Sequence, residues 1–324
     1  MSTKLYADFE TVDELERQFM FVDTVPDMWP YIAGYTTRSE EARSALTGTL
    51  DVPYGPTRDE YVDIFPAALS GAPIMIFFNG GAWRMLSAKD YSFVAAGLVA
   101  ADITTILVNY SLCPKVGVDE IVRQARAAVA WTFRNASSFG GDPGRIYVAG
   151  HSSGAQLTAM CAITAWEKDY GLPSDIIKGG VPISGVFDLT PLRYTSHQAS
   201  LQLDGDIIAR NSPYMLPVNA PPLFFSMGSN EPSALMQQVR DQFSRMRAAR
   251  DGCELFEQPG LNHFQTVDGF ESPDSELLKK VLAWIETIES GYKHLARQPA
   301  RMCPSDSEAP GRYNDGDVEH ENES

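Results

Sequence analysis

The amino-acid sequence predicts an α/β protein with a mostly parallel central sheet and helices on both faces. From Pro73 onward, short apolar segments alternate with segments of helical periodicity, which is the pattern of a parallel sheet covered by helices. Most of the apolar segments are continuous, as expected for strands that are buried on both faces. The chain has 324 residues, of which 44% are hydrophobic, and is long enough for one large domain of this kind.

The individual strands and helices are predicted from these local patterns. Apolar segments predict six strands, at Pro73–Asn79, Ile103–Tyr110, Arg145–Gly150, Gly179–Ser184, Pro222–Gly228 and Glu254–Gln258. A short extended stretch is expected at Thr49–Tyr54. Helical periodicity predicts helices at Val118–Phe139, Ala155–Ala162, Ser233–Arg250 and Asp274–Glu289.

Three regions flank or interrupt the predicted domain, which we place at residues 49–292. Residues 1–48 are helix-prone and amphipathic, and we expect a helical extension that packs over the sheet or borders the active site. Residues 190–220 contain Pro, Asn and Ser at intervals and are expected to form a small lid. Residues 293–324 form an acidic tail, which we expect to be disordered because it cannot bury enough apolar surface to offset the cost of ordering.

Composition limits the partners and the compartment. A formal net charge of −16 argues against non-specific binding to nucleic acid or anionic membranes. The N-terminus has no apolar signal region and no segment approaches about 18 uninterrupted apolar residues, so we expect a cytoplasmic protein without a membrane span. The four cysteines show no metal-ligand spacing and are expected to be reduced thiols: Cys113, Cys161, Cys253 and Cys303.

The pentapeptide Gly150-His151-Ser152-Ser153-Gly154 is the most informative motif in the chain. It ends a predicted strand and leads directly into the predicted helix Ala155–Ala162. A strand, a G-x-S-x-G turn and a helix together describe a nucleophile elbow, in which glycines replace side chains that would collide across the sharp turn. Ser152 would then stand at a helix N-terminus, where free N–H groups favour negative charge on a substrate oxygen.

A serine nucleophile needs a base within hydrogen-bond reach, and the base needs a third group that orients it. In chains with this elbow the order is serine, acid, histidine. His263 lies after the last predicted strand, on a loop before the final helix, and is the predicted base. His197 lies in the lid-like segment and is expected at the surface or lining a pocket, whereas His151 is expected to pack structurally.

Glu231 is the predicted acid, because it is the only carboxylate in the loop 229–232 that follows the strand Pro222–Gly228. Asp188 follows the preceding predicted strand and stays open as the alternative acid. Its position favours a role in anchoring the lid. The choice between these two carboxylates affects the mechanism less than the choice of the serine.

The oxyanion of a tetrahedral intermediate needs hydrogen-bond donors, and two segments are expected to supply them. One donor is the backbone N–H of Ser153, directly after the nucleophile. The others are expected from the turn Asn79-Gly80-Gly81-Ala82-Trp83, which follows a predicted strand. Small residues let the backbone approach a substrate closely, so Gly81 and Ala82 are the predicted donors of this turn.

Several motifs together resemble the arylformamidase, or kynurenine formamidase-like, branch of the α/β-hydrolases. The resemblance covers roughly residues 50–290 and is carried by these segments: Asn79–Trp83, Asn109–Pro114, Asp119–Gln124, Phe139–Pro143, Gly150–Gly154, Ser184–Leu189, Asn211–Pro213 and Asn262–Phe264. It implies an α/β-hydrolase fold with Ser152 as nucleophile, Glu231 as acid and His263 as base. It also implies cleavage of small aromatic formamides, and often of aryl or short-chain esters, without a metal or organic cofactor.

One residue departs from the family pattern, and others are assigned to a substrate pocket. The family usually begins its oxyanion turn with histidine, whereas this chain has Asn79, which can hold the turn by an amide hydrogen bond but cannot carry a positive charge. A difference from the family in substrate preference or pH response is therefore expected. A flat, apolar acyl or aryl pocket is expected from four residues near the site: Asn79, Trp83, Tyr110 and Phe264.

The sequence therefore predicts a serine hydrolase that cleaves a small, aromatic amide or ester through an acyl-enzyme. Two alternatives stay open, a general carboxylesterase and a catalytically silent α/β-hydrolase scaffold that only binds a ligand. The expected partner is a small-molecule substrate, with no nucleic acid and no membrane, and a homodimer is a possible assembly.

Overall fold

The computed structural model describes residues 4–297, and one eight-stranded sheet forms its centre. The order across the sheet is β1-β2-β4-β3-β5-β6-β7-β8. β2 pairs antiparallel with both β1 and β4, and the pairs from β4 to β8 are parallel. The predicted mostly parallel sheet is confirmed. The strands are β1 (Thr49–Pro53), β2 (Tyr61–Phe65), β3 (Ala72–Phe78), β4 (Thr104–Val108), β5 (Gly141–His151), β6 (Ile177–Ile183), β7 (Phe224–Gly228) and β8 (Glu254–Gln258).

The strand β2 was not predicted from the sequence, and Asp63 explains why. A carboxylate in the middle of five residues interrupts the apolar pattern that identifies a buried strand. In the structure Asp63 is fully buried, and its Oδ1 accepts hydrogen bonds from Lys89 Nζ and the Asp51 backbone N–H, both at 2.8 Å. The charge is tolerated because the fold brings a lysine to it, and local sequence does not reveal that pairing.

Both faces of the sheet are covered. Successive residues of a strand point to opposite faces, and Ile74, Met75, Ile76 and Phe77 of β3 are all at most 1% exposed. This double burial accounts for the continuous apolar segments in the sequence. The helices are α1 (Val12–Phe19), α2 (Trp29–Ala45), α3 (Val94–Ala100), α4 (Val118–Asn135), α5 (Ser153–Ala162), α6 (Trp166–Tyr170), α7 (Gln198–Leu201), α8 (Gly205–Asn211), α9 (Ser233–Ala249) and α10 (Glu276–Arg297).

The register of the parallel strands brings their following loops to one edge. Phe78 at the end of β3 pairs with Gly150 of β5, and Gly150 pairs with Pro182 of β6. At the neighbouring strands, Gly228 of β7 pairs with Gln258 of β8. Ligands of open α/β sheets bind at the carboxyl ends of the strands, so this edge is the expected position of a site.

The two segments that were predicted as an extension and a lid are both helical. Residues before β1 form α1, a 3-10 turn at Phe21–Thr24 and α2, and a capping box between Thr11 and Glu14 begins α1. Residues 190–220 contain α7 and α8 between two further 3-10 turns. Their domain boundaries stay predictions.

Contacts divide the chain into a body, Met1–Ile288, and a second unit, Glu289–Ser324. The structure describes the second unit up to residue 297, where it belongs to α10. The predicted disordered tail, 293–324, lies outside the described residues from 298 onward. Within residues 4–297, no helix is both long and apolar enough to cross a bilayer.

Candidate active site

Ser152 stands on a sharp turn between β5 and α5. Its backbone has φ 57° and ψ −118°, a strained conformation for a residue with a side chain. The turn is closed by two glycines: a Cβ on Gly150 would overlap the carbonyl of Gly154, and a Cβ on Gly154 would overlap the carbonyl of Phe78. Glycine at both positions is therefore required for the geometry of a nucleophile elbow.

Three side chains from different loops form one continuous hydrogen-bonded chain. His263 Nε2 lies 2.9 Å from Ser152 Oγ, and His263 Nδ1 lies 2.6 Å from Glu231 Oε1. An ionised carboxylate only accepts hydrogen bonds, so Nδ1–H donates to Glu231 and Nε2 faces the serine hydroxyl with its lone pair. All three residues are at most 7% exposed. The arrangement allows the serine proton to pass to the imidazole.

The carboxylate of Glu231 is fixed on its other side. Its Oε2 accepts hydrogen bonds from the Gly228 backbone N–H at 2.8 Å and from Ser184 Oγ at 2.9 Å. The alternative acid, Asp188, does not contact His263. Its Oδ1 accepts a hydrogen bond from the backbone N–H of Thr190 at 2.9 Å and one from the Thr190 hydroxyl, at the first residue of the lid-like segment.

The turn after β3 lies beside the elbow. Gly81 has φ 121° and Ala82 has φ 52°, and both line the same cavity as Ser152. A Cβ on Gly81 would overlap the carbonyl of Met85, so only glycine fits at this position. Ser153 is the first residue of α5, where the backbone N–H has no partner within the helix. The three predicted oxyanion donors are thus grouped around the elbow.

The cavity in front of Ser152 is mostly apolar, and the N-terminal segment forms much of its wall. The ring of Phe21 lies 4.1 Å from the His263 ring, measured between centroids, and Phe264 also lines the cavity. The sequence predicted that residues 1–48 could border the site, but it gave no signal for which side chains do so. They are Met20, Phe21, Val22, Met28, Ile32 and Tyr35.

Three of the four residues predicted for the substrate pocket lie outside the cavity lining, which corrects that expectation. Trp83 is 2% exposed, and its Nε1–H donates to Gln156 Oε1 at 3.2 Å. Tyr110 donates its hydroxyl to the Asn79 carbonyl at 2.7 Å, and Asn79 Nδ2 donates to the Gly80 carbonyl at 2.8 Å. Tyr110 and Asn79 thus donate to backbone carbonyls of the oxyanion turn, whereas Trp83 connects the turn to a side chain of α5.

His151 connects the oxyanion turn to the loop of the base. Its Nε2 lies 2.9 Å from the carbonyl of His263, and its Nδ1 lies 3.0 Å from the Tyr91 hydroxyl, which also contacts the Gly80 backbone N–H. A carbonyl only accepts, so Nε2–H donates and Nδ1 accepts from Tyr91. Burial holds the pKa of His151 well below its usual range, and the nearby His263 lowers it further. His151 is therefore a neutral, structural side chain.

Comparison with known proteins identifies the architecture. A family model described as the alpha/beta hydrolase fold matches residues 75–266, which is more than half of the chain. The chain belongs to this family. Within residues 4–297 of this hydrolase, no three His, Cys, Asp or Glu side chains are grouped so that they could hold a metal ion.

Two curated relatives and one solved structure illustrate its similarities. A kynurenine formamidase from Salmo salar is 29% identical over 83% of this chain and 95% of its own length. The esterase LipQ from Mycobacterium tuberculosis is 27% identical over 66% of this chain and 56% of its own length. A candidate thioesterase from Silicibacter sp. TM1040 has a TM-score of 0.72 at 25% identity, covering 82% of this chain and 98% of that one. The protein is a kynurenine formamidase-like α/β-hydrolase.

Proposed function

We propose that this hydrolase cleaves a small aromatic amide or ester through an acyl-enzyme on Ser152. The observation that carries the proposal is the hydrogen-bonded chain of Ser152, His263 and Glu231, with donor–acceptor distances of 2.9 and 2.6 Å. Such a chain supplies the base that a serine hydroxyl needs and the carboxylate that orients the base.

In the proposed mechanism, Ser152 Oγ attacks the substrate carbonyl while its proton passes to His263 Nε2. The carboxylate of Glu231 keeps the proton on Nδ1 and stabilises the imidazolium that forms. Backbone N–H groups of Gly81, Ala82 and Ser153 donate hydrogen bonds to the oxyanion. His263 then protonates the leaving amine or alcohol as its bond to the carbonyl carbon breaks. In the second half, His263 takes a proton from a water molecule that attacks the acyl-serine, and it returns this proton to Ser152 Oγ as the acyl–Oγ bond breaks and the acid is released.

The substrate class that we propose is an arylformamide, such as N-formylkynurenine. It is supported by the aromatic side chains in the cavity wall, namely Phe21, Tyr35, Tyr91 and Phe264, and by the similarity to a kynurenine formamidase over most of the chain. A carboxylesterase is the second candidate, because the same elbow and oxyanion turn serve esters and one relative carries the name of an esterase.

A fluorophosphonate probe tests the serine mechanism directly. We expect the probe to label Ser152 at micromolar concentration, because the base beside it activates the hydroxyl. Ser152→Ala should remove the labelling and lower kcat by about 10⁴-fold or more while the thermal midpoint stays near that of the unmodified protein. The matched control is Ser153→Ala, whose side chain is not part of the hydrogen-bonded chain. Undiminished turnover in Ser152→Ala would overturn the mechanism.

Comparison of kcat/KM on three substrates tests the substrate class. N-formylkynurenine represents the arylformamides, another N-acyl arylamine tests tolerance for a larger acyl group, and p-nitrophenyl acetate represents activated esters. We expect the formamide to be preferred over the larger amide, because a formyl group is the smallest acyl group and needs the least space beside Ser152. A preference for the acetate ester by several orders of magnitude would favour the carboxylesterase.

A further inference from the structure

Two polar atoms in the wall of the apolar cavity lack a hydrogen-bond partner. They are Nε of Arg84 and Nδ1 of His197, and both residues line the cavity together with Ser152. A buried polar atom without a partner costs free energy, because it has given up its hydrogen bonds to water. Since native structures contain few such atoms, an unpartnered pair inside a substrate cavity points to a ligand that supplies the partners.

The chemistry of His197 defines the kind of partner it can take. This side chain is 5% exposed, and its Nε2 lies 3.1 Å from the carbonyl of Phe19. Because a carbonyl only accepts, Nε2 carries the proton and Nδ1 presents a lone pair. Burial lowers the pKa of His197, and the charge of Arg84 lowers it as well. A neutral His197 is therefore a hydrogen-bond acceptor, and its ligand must bring an N–H or O–H donor.

Arg84 provides the complementary group. It follows the oxyanion turn directly, and within residues 4–297 its side chain has no carboxylate or carbonyl partner. Within residues 4–288, the other half-buried arginines have hydrogen-bond partners. Arg38, for example, donates to Asp268 at 2.8 Å and to Glu271 at 2.6 Å. A guanidinium binds a carboxylate through two parallel hydrogen bonds, and a partly buried cation needs an anion beside it.

We propose that Arg84 and His197 form the subsite for the charged end of an α-amino acid substrate. An α-amino acid carries a carboxylate and an ammonium group on one carbon, so that the carboxylate can pair with Arg84 while the ammonium donates to His197 Nδ1. A simple anion satisfies only Arg84 and would face the lone pair of His197. The proposal rests on the proposed function, because it assumes that the substrate of Ser152 occupies this cavity.

Binding of three small probes to the full chain tests the subsite. L-Phenylalanine carries both charged groups, 3-phenylpropionate only the carboxylate and 2-phenylethylamine only the ammonium. By titration calorimetry we expect L-phenylalanine to bind at least tenfold tighter than either analogue. It should also slow the labelling of Ser152 by the fluorophosphonate probe, since the two sites share one cavity.

Substitutions at Arg84 and His197 test the carboxylate contact and the ammonium contact separately. Arg84→Gln should weaken the binding of L-phenylalanine at least tenfold and remove its advantage over 2-phenylethylamine, whereas Arg84→Lys should retain part of the affinity. His197→Gln should remove the advantage over 3-phenylpropionate. The matched control is Arg193→Gln, which makes the same change at an exposed arginine outside the cavity lining and should bind like the unmodified protein.

The outcomes separate this proposal from the proposed function. Equal binding of the three probes, binding that is unaffected by Arg84→Gln, or binding that leaves Ser152 labelling unchanged would each overturn the subsite. If L-phenylalanine binds in an Arg84-dependent way but Ser152→Ala keeps its turnover, the subsite stands and the serine mechanism fails. Should His197→Gln not fold, the Arg84 variants still test the carboxylate contact. The ammonium contact is then tested by comparing L-phenylalanine with 3-phenylpropionate on the unmodified protein.

Discussion

The cavity has two walls that differ in construction. The wall from the strand-end loops, with Ser152 and His263, is polar and closely hydrogen-bonded. The wall from the N-terminal segment, with Met20, Phe21 and Val22, is apolar. In the proposed mechanism the first wall performs the chemistry, and we expect the second wall to determine which substrates fit in front of Ser152. Catalysis and substrate selection would then depend on different segments of the chain.

The apolar wall is anchored to the rest of the protein on both sides. After it, the Tyr35 hydroxyl donates to the Phe264 carbonyl, next to the base, and Arg38 pairs with Asp268 and Glu271. Before it, the Gln18 side chain accepts a hydrogen bond from the Ala234 backbone N–H at 2.9 Å. The segment between these anchors is therefore held over the site, although it contains few polar groups of its own.

The largest effect is expected in the polar wall, at the carboxylate that orients the base. Glu231→Gln should lower kcat by about 10³- to 10⁴-fold, because an amide can hold His263 in the wrong tautomer and cannot stabilise the imidazolium. Steady-state kinetics on the best substrate measures the loss. The matched control is Asp188→Asn at the alternative acid, which should change kcat by less than about tenfold. A larger loss in Asp188→Asn than in Glu231→Gln would reverse the assignment.

An intermediate effect is expected in the apolar wall. Phe21→Ala removes the ring that covers His263 and should lower kcat/KM for aryl substrates about tenfold, as expected for the loss of an aromatic contact of about 1.4 kcal/mol. Substrates with a methyl group in place of the aryl group should be affected less. Val12→Ala, at a side chain that is 51% exposed in the same N-terminal segment, is the control. An equal loss of kcat/KM for the aryl and the methyl substrates would show that Phe21 does not contribute to substrate selectivity.

The smallest effect concerns stability and pH, at the histidine behind the polar wall. The pKa of His151 is lowered in the folded protein, so the unfolded chain binds a proton that the folded chain does not once the pH falls below about 6.5. Stability from this group is complete above that pH and is lost on acidification. His151→Gln should therefore flatten the decline of the unfolding free energy between pH 6.5 and 5 by up to about 1.4 kcal/mol per pH unit.

Denaturant titrations at several pH values, compared with the unmodified protein, measure this slope. His197 also has a lowered pKa and keeps part of the slope in the variant. An unchanged slope in His151→Gln would mean that His151 takes up its proton without unfolding.

The sequence predicts the residues of the polar wall well, because most of them belong to short local motifs. The elbow needs Gly150 and Gly154 for steric reasons, and the order of serine, acid and histidine follows from the topology of the sheet. The apolar wall could not be predicted in detail. Nothing in the spacing of Met20, Phe21 and Val22 shows that they line one cavity with His263, more than two hundred residues later in the chain.

Two polar residues show the same limit. Asp63 interrupts an apolar strand and is paired only through the fold, with Lys89. Arg84 stands directly after the oxyanion turn, which is a usable signal for a cation beside the site, but its missing partner is a property of the packed structure. Sequence patterns show the periodicity of apolar residues and the positions that require glycine. They do not show which charged residues pair when those residues are far apart in the chain.

The position of the apolar wall has a consequence for classification. The stretch that matches the family, residues 75–266, begins some forty residues after Tyr35 and leaves the whole N-terminal segment outside. Two enzymes can therefore match this family equally well over the shared stretch and still bind different substrates. A comparison restricted to the shared stretch groups such proteins by their reacting residues. A comparison of the segment that corresponds to residues 20–35 is needed to separate them by the substrates they admit.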